Sequence, residues 1–322
     1  MKQSPEKHSM ANHVILQIEG LTKRYGALTA VNNLTLDVYD GEVFGFLGPN
    51  GAGKTTSIQM MCGLLKPDAG RVLIHGVPIT GGSEIRVGMC PQRIVLWERL
   101  TCIEQLQFIG QMYGLSGTDA RRRGDRLLDE LDLTNQRNKQ ARVLSGGMQR
   151  RLNLAMALVQ DPQILILDEP EAGLDPQSRV KVREYIQSLA RKKTVILTTH
   201  NMDEADRVAD RVAIIDHGEL LVQDTPEGLK RRVGEGDVIE IALNGTAEQD
   251  EIACKALAGM AARVTVDSTH HKLHVHALDA VGKLSTILET LAAAGLQPGE
   301  VSIRANTLED VFIQLTGRRL RE

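Results

Sequence analysis

The sequence predicts an α/β protein with a mostly parallel sheet, an inserted helical subdomain and a small α+β domain at its C-terminal end. Three observations carry that expectation. Val43–Leu47, Ile164–Leu167 and Thr194–Thr199 are short, largely apolar runs, as expected of strands covered on both faces. Helix-like stretches alternate with them, beginning at Lys54 and Met202. Around Arg231–Asp237 the chain turns charged and Gly-rich, which marks a domain boundary.

Residues 1–12 read as a polar tail with no apolar stretch of a secretory signal. Val14–Glu19 alternates apolar and polar residues, the pattern of a half-buried strand, and a second strand runs near Leu34–Val38. A turn at Asp40-Gly41 leads into Val43–Leu47. The first domain is expected over residues 13–232, with its helical subdomain at about 93–160. There Leu127, Leu128 and Leu131 fall at helical spacing beside Arg121–Arg123, read as a solvated face, and Asn135–Ala141 is a polar break. A helix follows at Met202–Asp210, then strands at Val212–Asp216 and Leu220–Gln223. The second domain, residues 237–322, holds strands at Val238–Leu243, Arg263–Val266, Leu273–Ala277 and one ending near Ile303. Its helices are Val281–Ala294 and the amphipathic Thr307–Leu315.

With 42% hydrophobic and 25% charged residues, the 322-residue chain is no disordered or fibrous protein. Its net charge of −3 leaves no basic field to hold nucleic acid. The four cysteines form no C-x-x-C pair and read as reduced thiols of a cytosolic protein, not as a zinc site or disulfide frame. No uninterrupted apolar run approaches the length needed to span a bilayer.

Gly48-Pro49-Asn50-Gly51-Ala52-Gly53-Lys54-Thr55 fits the phosphate-loop pattern G-x-x-x-x-G-K-[ST], between a buried strand and a helix. Glycines let backbone N–H groups wrap a phosphate, and the helix N-terminus adds partial positive charge. Lys54 is expected on the β- and γ-phosphates and Thr55 on Mg²⁺, with Thr56 completing the nucleotide contacts. Asp168 and Glu169 end the Ile164–Leu167 strand, where a parallel sheet faces its ligand. Asp168 belongs near the metal, and Glu169 can activate water as general base. His200 ends a neighbouring strand and can sense the γ-phosphate. Leu144-Ser145-Gly146-Gly147-Met148-Gln149-Arg150 opens a helix with a Ser cap and two glycines, a second anion-binding helix start. One loop and one such cap per chain suggest two copies head to tail, each cap closing the other's nucleotide.

These motifs, with Gln92 after Met89-Cys90-Pro91 and with Gly173-Leu174-Asp175, resemble the ABC ATPase family over about residues 13–230. The resemblance implies a P-loop NTPase fold with a RecA-like core, ATP and Mg²⁺ as cofactors, and Mg-dependent ATP hydrolysis coupled to transport. It further implies that Tyr25 stacks on adenine and that Gln92 senses Mg²⁺ and the attacking water and relays to a membrane partner. Ser145, Gly146 and Gly147 would meet the γ-phosphate of a second copy, with Asp175 at that interface. Thr307–Arg318 and Asn201–Asp206 resemble the drug-resistance (daunorubicin-type) exporter ATPases, in which the multi-spanning permease is a separate chain. That implies an exporter motor at the cytoplasmic face of the membrane. A non-transport ABC ATPase and a regulatory module with little turnover stay open as alternatives.

Four features stand outside the motifs. Glu171 occupies a position where the family usually has Ser or Thr; it either raises a neighbouring carboxylate's pKa or points to solvent. Trp97, the single tryptophan, lies in Ile94–Leu100, where the family meets its membrane subunit; interface anchor and core packing are equally open. His270, His271, His274 and His276 crowd one strand and read as a solvated face rather than a metal site. The C-terminal domain reads as an accessory or regulatory unit.

Overall fold

The computed structural model describes residues 13–79, 87–233, 236–243, 247–259, 263–267 and 272–316. The expected tail, His270, His271 and the end of the chain lie outside these residues. The fold opens with strands β1 (Val14–Tyr25), β2 (Leu28–Tyr39) and β3 (Val43–Leu47), then helix α1 (Lys54–Met61) and strands β4 (Ala69–Ile74), β5 (Val77–Pro78) and β6 (Val87–Cys90). Helices α2 (Cys102–Met112), α3 (Gly117–Glu130) and α4 (Gly146–Leu158) form the helical insertion. Two short 3₁₀ turns, Thr134–Gln136 and Ala141–Val143, lie where the polar break was expected. Then come β7 (Ile164–Asp168), α5 (Pro176–Leu189), β8 (Thr194–Thr199), α6 (Met202–Val208), β9 (Arg211–Asp216) and β10 (Glu219–Asp224).

The central sheet has six strands in the order β10-β9-β3-β8-β7-β6, and β9, β3, β8, β7 and β6 run parallel. Alternation along these strands separates two cores. Phe44, Phe46, Ile164, Ile166 and Ile196 face one side with Ile58 of α1 and Leu16 and Ile18 of β1. Val43, Leu165, Leu167, Val195 and Leu197 face the other, with Leu152 of α4 and Ile186 of α5. Each side chain on both faces is removed from water, which is why these runs are largely apolar.

The strands expected at Val14–Glu19 and Leu34–Val38 do not join the parallel sheet. They are longer than the alternation indicates and pair antiparallel in a second sheet, β2-β1-β4-β5. A half-buried strand reads the same in either place, so periodicity alone cannot assign it. The arginine run also divides: Arg121 and Arg122 are exposed, but Arg123 turns inward and donates to the carbonyl of Val159 at 3.3 Å.

A second compact unit begins at Asp224; within it α7 (Pro226–Val233) packs with the C-terminal helix. The remaining elements are β11 (Asp237–Leu243), α8 (Ala247–Leu257), β12 (Arg263–Asp267), β13 (Lys272–Ala277), α9 (Ala280–Ala293), β14 (Pro298–Ala305) and α10 (Leu308–Thr316). Their antiparallel sheet, β12-β13-β11-β14, is a split βαβ arrangement. Leu273 and Val275 face the core shared with α8 and α9. His274 and His276 therefore take the opposite face, but both are buried there, which corrects the solvated reading. His274 Nδ1 lies 3.4 Å from Glu240 Oε1, and Arg304 links Glu240 to Asp310 of α10. The α10 residues Leu308, Val311 and Phe312 are buried too. No helix among the described residues is long and apolar enough to cross a membrane.

One close approach in the first unit is testable. A Cβ on Gly88 of β6 would lie 2.3 Å from the carbonyl oxygen of Ala157, so α4 packs on β6 only because the side chain is missing. Gly88→Ala should destabilise the protein by about 1–3 kcal/mol. Urea unfolding checks this; an unchanged midpoint would remove the argument for close α4–β6 packing.

Candidate nucleotide site

The C-terminal ends of β3, β8, β7 and β6 lie side by side, with Leu47 opposite Thr199, Asp168 opposite Thr198 and Leu167 opposite Cys90. Parallel register thus delivers the loop after β3, the carboxylates after β7, His200 after β8 and Gln92 after β6 to one edge of the sheet.

The loop after β3 is shaped by glycines. Gly53 caps α1 at φ 97°, and a Cβ there would sit 2.3 Å from the carbonyl oxygen of Ala30. A Cβ on Gly48 would sit 2.3 Å from that of Ile215. The α1 N-terminus has neither a side-chain cap nor an acid in its first turn, so its N–H groups remain open to an anion. Lys54 is buried and donates to the carbonyls of Gly48 at 2.6 Å and Pro49 at 3.0 Å. Burial lowers its pKa, while Glu169 and Asp168 work to raise it. Thr55 is exposed and Thr56 half-buried beside it.

Asp168 and Glu169 are both buried. Asp168 Oδ1 accepts the Thr198 hydroxyl at 2.6 Å. Glu169 has φ 47°, a left-handed conformation that is costly for a residue with a Cβ. Its N–H donates to the Thr198 hydroxyl oxygen at 3.1 Å, and its carboxylate is held from two sides. Gln92 Nε2 donates to Oε2 at 2.9 Å, and His200 Nδ1 lies 2.9 Å from Oε1. Lys54, Asp168, Glu169, Gln92 and His200 are thus one constellation: a phosphate-sized cradle, a lysine, a carboxylate at the strand end, and a second carboxylate positioned by an amide and an imidazole. Such a set suits phosphate binding and delivery of water in line.

Ser145, Gly146, Gly147 and Asp175 are brought together separately. Ser145 caps α4 by accepting from the Met148 N–H at 3.3 Å, and Ser145 and Gly146 are exposed. Asp175 caps α5 by accepting from the Ser178 N–H at 3.0 Å, and Ser178 holds its carboxyl below the usual range through side-chain and backbone hydrogen bonds. A Cβ on Gly147 would lie 2.1 Å from Ser178 Oγ, so the two helix starts are in contact. Among the described residues, none of the four shares a hydrogen bond with the phosphate loop. Tyr25 is 49% exposed at the end of β1, with the Lys23 ammonium 5.8 Å from its ring centroid, so it is not a packed core aromatic. Trp97 is 41% exposed and packs edge-on against the equally exposed Phe108, centroids 5.2 Å apart, so it is not a core residue.

Glu171 does not point to solvent. It is buried, and Arg183 of α5 grips it through two hydrogen bonds of 3.0 and 2.6 Å. The carboxylate whose pKa is raised is Glu204, first by burial and then by the Glu171 charge. Sequence reasoning also missed Thr198, which holds Asp168 and Glu169 together, and Arg150. Arg150 donates to the carbonyls of Pro91, Gln92, Asp168, Glu169 and Pro170. Both sit inside recognised segments, but their partners are brought to them only by folding.

Comparison with known proteins gives this geometry a family. The "ABC transporter" family profile matches residues 31–172. The daunorubicin resistance ATP-binding protein DrrA3 of Streptomyces coeruleorubidus is 38% identical over 95% of this chain and 98% of its own length. The linearmycin resistance ATP-binding protein LnrL of Bacillus subtilis is 36% identical over 96% of this chain and all of its own. The Nod factor export ATP-binding protein I of Ralstonia nicotianae is 39% identical over 99% of both. Among solved structures, the ATP-binding subunit of an ABC transporter superposes with a TM-score of 0.62 at 30% identity, covering 68% of this chain and 92% of that one. A dimeric post-hydrolysis ATP-binding cassette bound to ADP and Pi superposes with a TM-score of 0.60 at 26% identity, over 66% of this chain and 98% of that one. The chain belongs to the ATP-binding subunits of the ABC transporter family, and it is an ATPase with the P-loop NTPase fold of that family.

Thr198 is the residue to test here. Thr198→Val removes the hydroxyl on Asp168 and a bond to the Glu169 N–H while keeping the shape. Turnover should fall about 10- to 100-fold, from the loss of hydrogen bonds to a charged group worth about 1.5–3 kcal/mol. A phosphate-release assay on the purified chain reads this; unchanged turnover would show that Thr198 does not position the two acids.

Proposed function

We propose that this chain is the ATP-driven motor of an exporter whose membrane-spanning permease is a separate polypeptide, and that two copies close head to tail on two Mg-ATP molecules. The observation that carries the reading is the convergence of Lys54, Asp168, Glu169, Gln92 and His200 at one sheet edge. The exposed, uncharged start of α4 at Ser145–Gly146 supports a second, intermolecular phosphate contact. The names of relatives, for drug resistance and Nod factor export, support export as the direction.

In this reading the loop Gly48–Thr56 binds the triphosphate, with Lys54 swinging from the loop carbonyls onto the β- and γ-phosphates, and Tyr25 stacks on adenine. Among the described residues no group of three His, Cys, Asp or Glu side chains could hold a metal by itself. Mg²⁺ suits such a site, because it takes one or two protein oxygens and completes its octahedron with phosphate oxygens and water. Thr55, Asp168 and Gln92 supply hard oxygens of that kind, and the ion would neutralise charge on the phosphates. Glu169 accepts a proton from water attacking the γ-phosphorus, giving ADP and phosphate, while His200 and Gln92 hold its carboxylate in line. Ser145, Gly146 and Gly147 contact the γ-phosphate of the partner copy, with Asp175 beside it. Each nucleotide therefore joins two chains, and its hydrolysis lets them part. The permease meets Ile94–Leu100, where Trp97 and Phe108 present an exposed aromatic pair. The chain then sits peripherally at the cytoplasmic face of the membrane.

Two substitutions test this. Glu169→Gln should lower turnover about 10²- to 10⁴-fold by removing the base and should accumulate an ATP-bound dimer. Phosphate release and light scattering with Mg-ATP measure both, and normal hydrolysis would overturn the base assignment. Lys54→Ala should abolish ATP binding in a fluorescent-nucleotide titration; retained affinity would overturn the loop assignment.

A further inference from the structure

We infer that Arg150 is a positioning residue that makes the signature helix and both catalytic loops one mechanical body; this rests on the assignment of Glu169 and Gln92 to catalysis. The guanidinium is buried with 2% exposure, and all five of its partners are backbone carbonyls. Nη1 donates to Pro91 at 2.6 Å and Gln92 at 3.0 Å. Nη2 donates to Asp168 at 2.8 Å and Glu169 at 2.7 Å, and Nε to Pro170 at 3.0 Å. The guanidinium has five N–H donors in a fixed plane, one for each carbonyl of the two loops, whereas an ammonium has three.

The neighbouring face of α4 repeats the contact. Asn153, three residues on, donates to Cys90 Sγ at 3.1 Å and accepts from the Val95 N–H at 3.4 Å. These two atoms flank Gln92 in the chain, so Arg150 and Asn153 hold its loop at the centre and at both ends. Helix α5 grips the other loop through Arg183 and Glu171. The starts of α4 and α5 meet at Gly147 and Ser178. The segment Asp168–Glu171 is thus fastened to both helices whose caps, Ser145 and Asp175, belong to the proposed dimer face.

Burying a cation without a carboxylate partner is costly. Here five carbonyl dipoles offset that cost, and all five belong to the two loops that carry the reacting groups. A displacement of α4 on docking against a second nucleotide therefore carries the Gln92 and Glu169 backbones with it. The placement of the base and of Gln92 is then coupled to the placement of the signature helix.

The test compares Arg150→Lys and Asn153→Ala with the unmodified chain by fluorescent-nucleotide binding, steady-state ATPase and thermal melting. Both variants should bind nucleotide within about twofold of the unmodified chain, because no phosphate contact is touched. In Arg150→Lys, kcat should fall about 10- to 100-fold with KM little changed, as expected of catalytic groups misplaced by a fraction of an ångström to an ångström. Asn153→Ala should shift kcat in the same direction by less, and it keeps the test open should the lysine variant fail to fold. Methylguanidinium should restore part of the kcat of Arg150→Ala. Unchanged kcat in a folded Arg150→Lys or in Asn153→Ala would overturn the inference. So would a loss of binding equal to the loss of kcat, which would mark a general packing defect. The Glu169→Gln measurement stands apart: if that variant hydrolyses normally while Arg150→Lys is impaired, the base assignment fails and the coupling of α4 to turnover survives.

Discussion

The first unit is organised around a crowding of charge that water would ordinarily dilute. Lys54, Asp168 and Glu169 are all buried at one sheet edge. Desolvation lowers the Lys54 pKa, and the two carboxylates counter that. Such a cluster stands only if each charge has a fixed partner. Lys54 rests on loop carbonyls, Asp168 on Thr198, and Glu169 on Gln92 and His200. A triphosphate with its metal would bring a new set of charges to the same edge. The resting contacts are of the kind that such a ligand can exchange one for one, hydrogen bond for hydrogen bond.

Parallel register makes this crowding possible. In adjacent parallel strands every C-terminus points the same way, so the loops after β3, β6, β7 and β8 meet at one edge, and the crossovers this requires include the helical insertion between β6 and β7. The two faces of the sheet are then free for packing. Alternate residues of one strand serve the antiparallel sheet with α1 and the helical insertion, respectively. The helical insertion therefore shares a core with the strands that lead to Asp168 and His200, as Leu152, Leu165 and Leu197 in one cluster illustrate. A helix tied to the strands by apolar packing and to their terminal loops by Arg150 has little freedom to move alone.

The parts of the site that were legible in the sequence are those whose chemistry is local. The phosphate loop is a run of eight residues whose glycines are needed by its own backbone and by two carbonyls at its back. Asp168 and Glu169 were legible because a buried strand that ends in two acids is unusual. Thr198 and Arg150 were not, since their partners lie 30 and up to 59 positions away. In the same way, Glu171 could be seen as an odd residue but not as a paired one, because Arg183 comes from the middle of a helix. Of the elements, β6 has only four residues, too few for alternation to register, and its partner is 77 positions on. The start of α5 did carry a readable signal, Asp175 as cap with Pro176 in the first turn. His274 and His276 were assigned correctly to one face, but no pattern within β13 could tell that polar side chains of β11 and β14 and the helix α10 would close over that face.

Glu171 shows how a departure from a family pattern is absorbed. A third acid beside Asp168 and Glu169 would oppose their ionisation if it stood unpaired. Instead its carboxylate is turned to α5 and bound at both oxygens by Arg183. The pair replaces what a hydroxyl would offer at this position with a charged tether. Its cost, desolvation of two ions, is offset only in a rigid geometry. A loop fixed in this way cannot relax independently of α5, and Glu169, two residues earlier at φ 47°, is held in a conformation it would not keep in a mobile loop. The unusual acid thus adds to the rigidity around Glu169, the proposed base, on the side of the loop that Arg150 does not reach.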